Sequence, residues 1–256
     1  MNSIKGIIFD LGNTLMCMGH EWGAVLAQSG SDLAAFLVGK GIDVEPRQFA
    51  DDFISLRRSL RAKAIEEQVE YTADYALTTL LAQLGHENLS ESLLGEAVDA
   101  SFAFEESHWQ PYPQAEATLR QFSDSGYRLA LISNATYDPL IQRLVDKGGF
   151  RKWLDASLSS AGVGLRKPHP EIFQKVLDQW GFSPARVVMI GDTLRFDILG
   201  AHNAGLKGVL AAWDLYPDYD VEGDHIVPDA RADTLSQLIE VIAMLDKQAS
   251  GAEGRL

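Results

Sequence analysis

The sequence predicts an α/β fold, a doubly wound parallel Rossmann-like sheet with an inserted α-helical cap domain. Three observations carry this. Short apolar, β-branched runs end abruptly in polar residues at Asp10, Ser133 and Asp192. Helical patterns separate the later runs, as βαβ crossovers require. The stretch 19–109, between the first run and the next, carries helical periodicity with little strand signal.

Ile4 to Phe9 reads as a buried parallel strand that feeds the turn Asp10-Leu11-Gly12-Asn13. Three similar runs follow: Tyr127 to Ile132 before Ser133-Asn134, Arg186 to Ile190 before Gly191-Asp192, and Gly208 to Ala212 before Trp213-Asp214. Leu154 to Ser159 is a weaker candidate. Helices are expected over 113–125, 138–147, 169–180, 196–204 and 234–246. In such a sheet the ligand crevice lies at the carboxyl ends of the strands, where the polar residues gather.

Within 19–109, apolar residues recur at helical spacing in Trp22, Val25 and Leu26, in Leu33, Phe36 and Leu37, in Phe49, Phe53 and Leu56, and in Leu77, Leu80, Leu81 and Leu84. This is the pattern of a helical bundle. The expected organisation is an α/β core from 1–18 and 110–247, a helical cap from 19–109, and a flexible tail at 248–256, where the residues are small or charged. The glycines between 12 and 19 and the prolines of Trp109-Gln110-Pro111-Tyr112-Pro113 suggest linkers, and a hinge, where the chain crosses between the two parts.

With 256 residues, the chain can bury a substantial core. Its 46% hydrophobic and 23% charged residues are those of an ordinary globular protein, which excludes a fibrous or wholly disordered chain. A formal charge of −14 argues against a nucleic-acid partner, which demands a basic footprint. A phosphorylated substrate stays open, because a metal ion and a few local cations can invert the field inside one pocket. Cys17 is the sole cysteine, so no intrachain disulfide can form, and between Met16 and Met18 it reads as a small hydrophobe. No stretch has the length and apolar character of a signal peptide or a membrane span. A cytoplasmic protein with no membrane partner is the expectation.

Four motifs bear chemistry. Asp10, at the end of the first strand, would stand rigidly at the working edge of the sheet. Alone, such an aspartate is more often a turn former or cap. Ser133 and Asn134 could hold the oxygens of a phosphoryl group or cap the next segment. Lys167, in Arg166-Lys167-Pro168-His169-Pro170, could neutralise charge on a carboxylate and a transferring phosphoryl group, or be a solvated loop lysine. His169 reads as a helix cap. Asp192, after Gly191, offers a hard oxygen suited to magnesium. Asp197, five residues on, could orient that site or complement a helix dipole.

In this order and at these strand ends, the four motifs resemble the haloacid dehalogenase superfamily, over roughly residues 4–15 and 110–215. The resemblance implies Asp10 as a nucleophile that becomes phosphorylated, Ser133, Asn134 and Lys167 as phosphate-binding groups, and Mg2+ held by Asp10, Asp192 and the backbone carbonyl of Gly12. Asn13 and Asp197 would stand behind these. The resemblance further implies a phosphatase acting on a small phosphorylated metabolite, with the helical insertion as a mobile type-1 cap that selects the substrate.

One position departs from the pattern. Most phosphatases of the superfamily carry a second aspartate two residues after the nucleophile, which protonates the leaving oxygen; this chain has Gly12. General acid-base help is worth about 10² to 10⁴ in rate, so good leaving groups such as anomeric, acyl or aryl phosphates are expected to be favoured. The gap also admits a metal-independent 2-haloacid dehalogenase, or a weak catalyst that binds a phosphometabolite. For substrate selection the candidates are His20, Glu21, Trp22, Arg57, Arg58 and Arg61. Arg57 and Arg61, spaced i,i+4, could form a fork for an anion, although a solvated helix face is the commoner origin of such a pattern. Trp22 reads as interior to the cap.

Overall fold

The computed structural model describes residues 3–214 and 225–253. Six strands form one parallel sheet: β1 (Gly6–Phe9), β4 (Arg128–Ser133), β5 (Ala156–Ser159), β6 (Val187–Gly191), β7 (Lys207–Ala211) and β8 (Ala230–Ala232). Two further strands, β2 (Met16–Met18) and β3 (Trp109–Pro111), pair with each other alone. The sheet order is β5-β4-β1-β6-β7-β8. From β1 the chain winds outward through β4 and β5, then returns past β1 to β6, β7 and β8. The carboxyl end of β1, where Asp10 stands, is thus the point at which the winding reverses and a crevice opens.

β1 is buried on both faces. Ile7 and Phe9 join a core with Leu129, Leu131, Val188 and Ile190 on one side, covered by α5 (Ala115–Asp124) and α10 (Leu238–Glu253). Ile8 turns the other way, to Ala130 and Met189 beneath α8 (Pro170–Trp180). This alternation holds the strand against slipping, since a shift of one residue would exchange the two cores. Asp10 keeps the last rung, its N–H donating to the Ile190 carbonyl at 2.8 Å.

Between β2 and β3 lie α1 (Trp22–Gly39), α2 (Pro46–Glu67), α3 (Ala73–Gln83) and α4 (Glu91–His108), with α1 packed on α2 and α4, and α3 on both. The bundle has good local reasons to form: Glu45, Thr72 and Ser90 accept backbone N–H groups at the starts of α2, α3 and α4. The crossings expected as linkers pair with each other as the antiparallel ribbon β2–β3, with Met18 opposite Trp109 and Met16 opposite Pro111. Pro111 is tolerated because the ribbon has only edges.

The bundle is docked on the core. Val69 bridges to Leu165, the Ala73 N–H donates to the Thr136 carbonyl at 2.8 Å, and Phe102 stacks on Tyr137 with centroids 4.9 Å apart. Tyr137 heads the segment that leads into α6 (Asp138–Lys147), from which Arg143 reaches Asp99 at 3.0 Å and Glu106 at 2.7 Å.

Elsewhere the departures from expectation are local. α7 (Ser160–Val163) is a single turn after β5, and residues 194–198 are wound as a π-helix before α9 (Leu199–Asn203). The tail expected from residue 248 continues as helix to Glu253, and residues 254–256 lie outside those described. No helix among the described residues is long and apolar enough to cross a membrane.

Candidate active site

The crevice at the reversal point gathers the strand-end residues. Lys167 is buried, and its ammonium donates to Asp10 Oδ1 at 2.6 Å, to Asp197 Oδ1 at 2.6 Å and to the Ile132 carbonyl at 2.8 Å. Burial alone would pull its pKa down; Asp10 and Asp197 outweigh that and hold it above the ordinary lysine value. Asn134 fixes the lysine by its backbone: its Nδ2 donates to the Lys167 carbonyl and its Oδ1 accepts the Lys167 N–H, each at 2.9 Å. The Asn134 side chain, expected on phosphate, is therefore committed to the Lys167 loop. Ser133 ends β4 with its side chain on the same cavity.

Asp10, Asp192 and Asp197 bring carboxylate oxygens within 4.8 Å of one another. Asp197 is the most engaged, its Oδ2 accepting from the Thr193 N–H at 3.0 Å and the Thr193 hydroxyl at 2.6 Å while its Oδ1 takes Lys167. That inward turn of Asp197 closes over Gly191, where a Cβ would lie 2.2 Å from the Asp197 carboxyl carbon. Asn13, in the left-handed region at φ 52°, donates its Nδ2 to Asp192 Oδ2 at 3.2 Å; asparagine is among the few residues that accept this backbone.

Burial raises Asp10 to about 6, with Lys167 opposing and Asp197 adding to the rise. Burial, with Asp10 and Asp197 beside it, drives Asp192 well above the ordinary aspartate range. Fully ionised, the three carboxylates would set an excess of two negative charges against one ammonium in a buried site. A small dication with oxygen preference answers that excess, and Asp10 and Asp192, the two whose oxygens Asp197's duties leave available, would hold it with the Gly12 carbonyl beside them.

A cavity of about 350 Å3 opens above these groups and is walled by the helical insertion. Of the candidates for selection, His20, Trp22, Arg57, Arg58 and Arg61 line it, while Glu21 does not. Arg57 and Arg61 are partly buried on the cavity wall, Arg58 lines the cavity and is exposed to solvent as the charge pattern suggested, and Trp22 is half-buried on the wall instead of inside the bundle. Arg57 donates to the Thr136 hydroxyl at 3.0 Å and lies 5.1 Å over the Phe102 ring. Burial lowers its pKa, against the pull of Glu105 and Glu70. His169 caps α8, its Nδ1 accepting the Glu171 N–H at 3.2 Å.

Three participants were missed from sequence. Glu70 ties the insertion to the core, accepting from the Ser160 hydroxyl at 2.7 Å and pairing with Arg166 at 3.3 Å. Trp109, read only as part of a linker, lies over Gly12, with Cη2 3.1 Å from where a Cβ would be, and its indole N–H donates to Glu105 at 3.2 Å. A signal for Glu105 existed: it continues the buried stripe Ala97, Val98, Ser101, Phe102 of α4, where a carboxylate needs a reason.

A reversed parallel sheet with a buried carboxylate at the turning point, a lysine on it and a further acid on the next strand defines the class. The model of the haloacid dehalogenase-like hydrolases matches residues 4–205. The chain belongs to this family of hydrolases. It is 34% identical over 137 residues to a glyceraldehyde 3-phosphate phosphatase of Methanothermobacter thermautotrophicus, a match that covers 52% of this chain and 59% of that protein. A protein of the same description from Methanopyrus kandleri is 25% identical over 95% of this chain and 99% of its own. Among solved structures, a 2-haloacid dehalogenase from Pseudomonas syringae has a TM-score of 0.66 at 22% identity, covering 94% of this chain and 99% of that one. A HAD phosphatase from Thermococcus onnurineus has 0.63 at 20%, covering 93% and 98%.

Proposed function

We propose that the protein is a magnesium-dependent phosphomonoester hydrolase acting on a small phosphorylated metabolite through an aspartyl-phosphate on Asp10, with helices α1–α4 as its cap. The observation that carries this reading is the three-carboxylate cluster against a single lysine, with Asp197 already engaged by Lys167 and Thr193. One Asp10 oxygen rests on Lys167, and an Asp10 oxygen would attack phosphorus in line. Lys167 would share its charge between Asp10 and the phosphoryl oxygens, and Ser133 would donate its hydroxyl to them. A bound Mg2+ would supply charge neutralisation for the transferring group. Asn134 keeps Lys167 in place, and Asn13 keeps Asp192.

Relatives described as phosphatases of glyceraldehyde 3-phosphate and of phosphoglycolate support a substrate of this size. The dehalogenase reading shares the fold but needs no metal, so the Asp10–Asp192 pair, suited to hold one, favours phosphate.

Phosphate release should require Mg2+, stop with EDTA, and vanish in Asp10→Asn. Release of halide from a 2-haloacid, unaffected by EDTA, would overturn this reading.

A further inference from the structure

Phosphoryl transfer to Asp10 leaves an ester oxygen that must take a proton, and Gly12 has none to give. The space where a side chain at position 12 would start is filled by Trp109, whose Cη2 lies 3.1 Å from the Cβ position. The same indole donates its N–H to Glu105 Oε1 at 3.2 Å. Glu105 thus stands one indole ring away from Gly12, on the wall of the cavity that Asp10 floors. It is 6% exposed, on the buried stripe of α4.

Other proton carriers on that cavity outside the Asp10 cluster have visible occupations, Asp214 accepting from the Tyr112 hydroxyl among them. Glu70 clasps Ser160 and Arg166 across the junction of insertion and core. The Tyr137 hydroxyl donates to Asp99 at 2.8 Å, and His20 lies in a stack with His108 at 4.9 Å between centroids. The charges facing Glu105 are few: Arg57 of α2 is the cation beside it, and Glu70 approaches that guanidinium as well. Burial outweighs both the Trp109 hydrogen bond and Arg57, so Glu105 keeps its proton to a higher pH than an ordinary glutamate.

Building on the phosphatase reading, we propose that Glu105 is the general acid and base of the reaction, supplying from the helical insertion the proton that residue 12 cannot. In the first half-reaction an Asp10 oxygen bonds to phosphorus as the bond from phosphorus to the ester oxygen breaks, and that oxygen takes the Glu105 proton to leave as an alcohol. In the second, the Glu105 carboxylate takes a proton from water as its oxygen attacks the phosphorus, freeing inorganic phosphate and the Asp10 carboxylate. Both carboxyls return to their starting states. The preference for good leaving groups expected from Gly12 then falls away in the wild-type enzyme and returns when Glu105 is altered. Proton transfer also becomes conditional on the insertion being docked, because the donor belongs to it.

The test is Glu105→Gln, which keeps an acceptor for Trp109, assayed with glycerol phosphate and with p-nitrophenyl phosphate in Mg2+. The kcat/KM for the alkyl ester should fall about 10² to 10⁴-fold, while that for the aryl ester, whose phenolate leaves without a proton, falls by less than about tenfold. The aryl ester should also show a burst of nitrophenolate followed by a slower steady rate, because breakdown of the phosphoenzyme needs the base. Equal losses on both esters, or no loss on the alkyl ester, would overturn the proposal. Glu105→Asp, which keeps the proton and shortens the reach, should retain more alkyl activity than Glu105→Gln; the reverse order would also overturn it. A wild-type enzyme that releases phosphate from neither ester refutes the phosphatase reading itself, and this proposal with it.

Discussion

Replacing Gly12 sets two effects of opposite sign against each other, and the geometry says which wins. The backbone at Gly12 is not in the left-handed region, so alanine can adopt it, and Gly→Ala at such a position stabilises by about 0.4–1 kcal/mol through the unfolded chain. Against this, the new Cβ would lie 3.1 Å from Trp109 Cη2, where ordinary contact begins at 3.4 Å. The ring is tethered twice, by its N–H to Glu105 and by its backbone in β3 opposite Met18, so it yields at a cost. Overpacking costs about 1–3 kcal/mol. Gly12→Ala should therefore destabilise by about 1 kcal/mol, a fall in melting temperature of roughly 2–4 °C for a chain of this size. Gly12→Asp adds a fourth carboxylate to three, and at roughly 5 Å and an effective dielectric of about 20 each repulsion between ionised groups is about 3 kcal/mol. It should be the less stable variant in EDTA and recover with Mg2+. Urea unfolding of Gly12→Ala, Trp109→Ala and the double variant supplies the check: once Trp109→Ala has cleared the space, the Gly12→Ala change should turn stabilising, with a coupling above about 0.5 kcal/mol. A stabilising Gly12→Ala with Trp109 intact, or zero coupling, would refute the claim that the indole holds this space.

Gly191→Ala should be more damaging than Gly12→Ala, because its Cβ would meet the Asp197 carboxyl carbon at 2.2 Å and displace the group that holds Lys167 and Thr193. A loss of about 3 kcal/mol or more in urea unfolding, with activity falling at least a hundredfold, is the expected result, and near-wild-type activity would count against the arrangement. The metal-free protein should also show an unusual pH dependence. Burial puts Asp10 near 6 in the folded state against about 3.9 unfolded, so the folded form binds its proton more tightly. Stability from this group is then greatest below the unfolded value, declines as pH rises through 4 to 6, and is level beyond, by about 1–3 kcal/mol. Urea midpoints at pH 4.5 and 7 in EDTA, compared between wild type and Asp10→Asn, isolate the term; the same pH dependence in both proteins would contradict it.

Much of the site's floor was legible because Asp10, Ser133 and Asp192 each sit at the end of an apolar run. Phe9 before Asp10, Ile132 before Ser133, and Ile190 before Gly191 and Asp192 mark strands that must be parallel and buried, and parallel strands carry their carboxyl ends to one edge. Two motifs at two such ends share that edge whatever lies between them in sequence. Lys167 depended on the family's pattern, since nothing local distinguishes it from a loop lysine; its depth comes from the Asn134 clasp, a contact across 33 positions. The ribbon was illegible for a related reason. Each strand has three residues, too few for a period, and the pairing of Met18 with Trp109 is a contact made by the ends of a bundle.

The roof of the cavity failed differently. Helical periodicity says which residues share a face, but a face turned to a second domain reads the same as one turned to water. Arg57, Arg58 and Arg61 form a charged stripe that solvent would suit, and only the docking of α2 over the crevice makes it a wall. Glu105 and Glu70 are the counterpart: acids at buried positions, held there by Trp109 in one case and by Ser160 and Arg166 in the other. A buried acid is costly unless it is partnered, and Ser160 and Arg166, which Glu70 contacts directly, belong to the core. Undocking the insertion would strip Glu70 of both at once, so it ties the closed arrangement to core residues adjoining the motifs that carry the chemistry, Ser160 near the end of β5 and Arg166 next to Lys167. The groups proposed to choose the substrate and the groups proposed to attack it are assembled by one docking event, and residues whose role arises only on docking leave no local pattern to read.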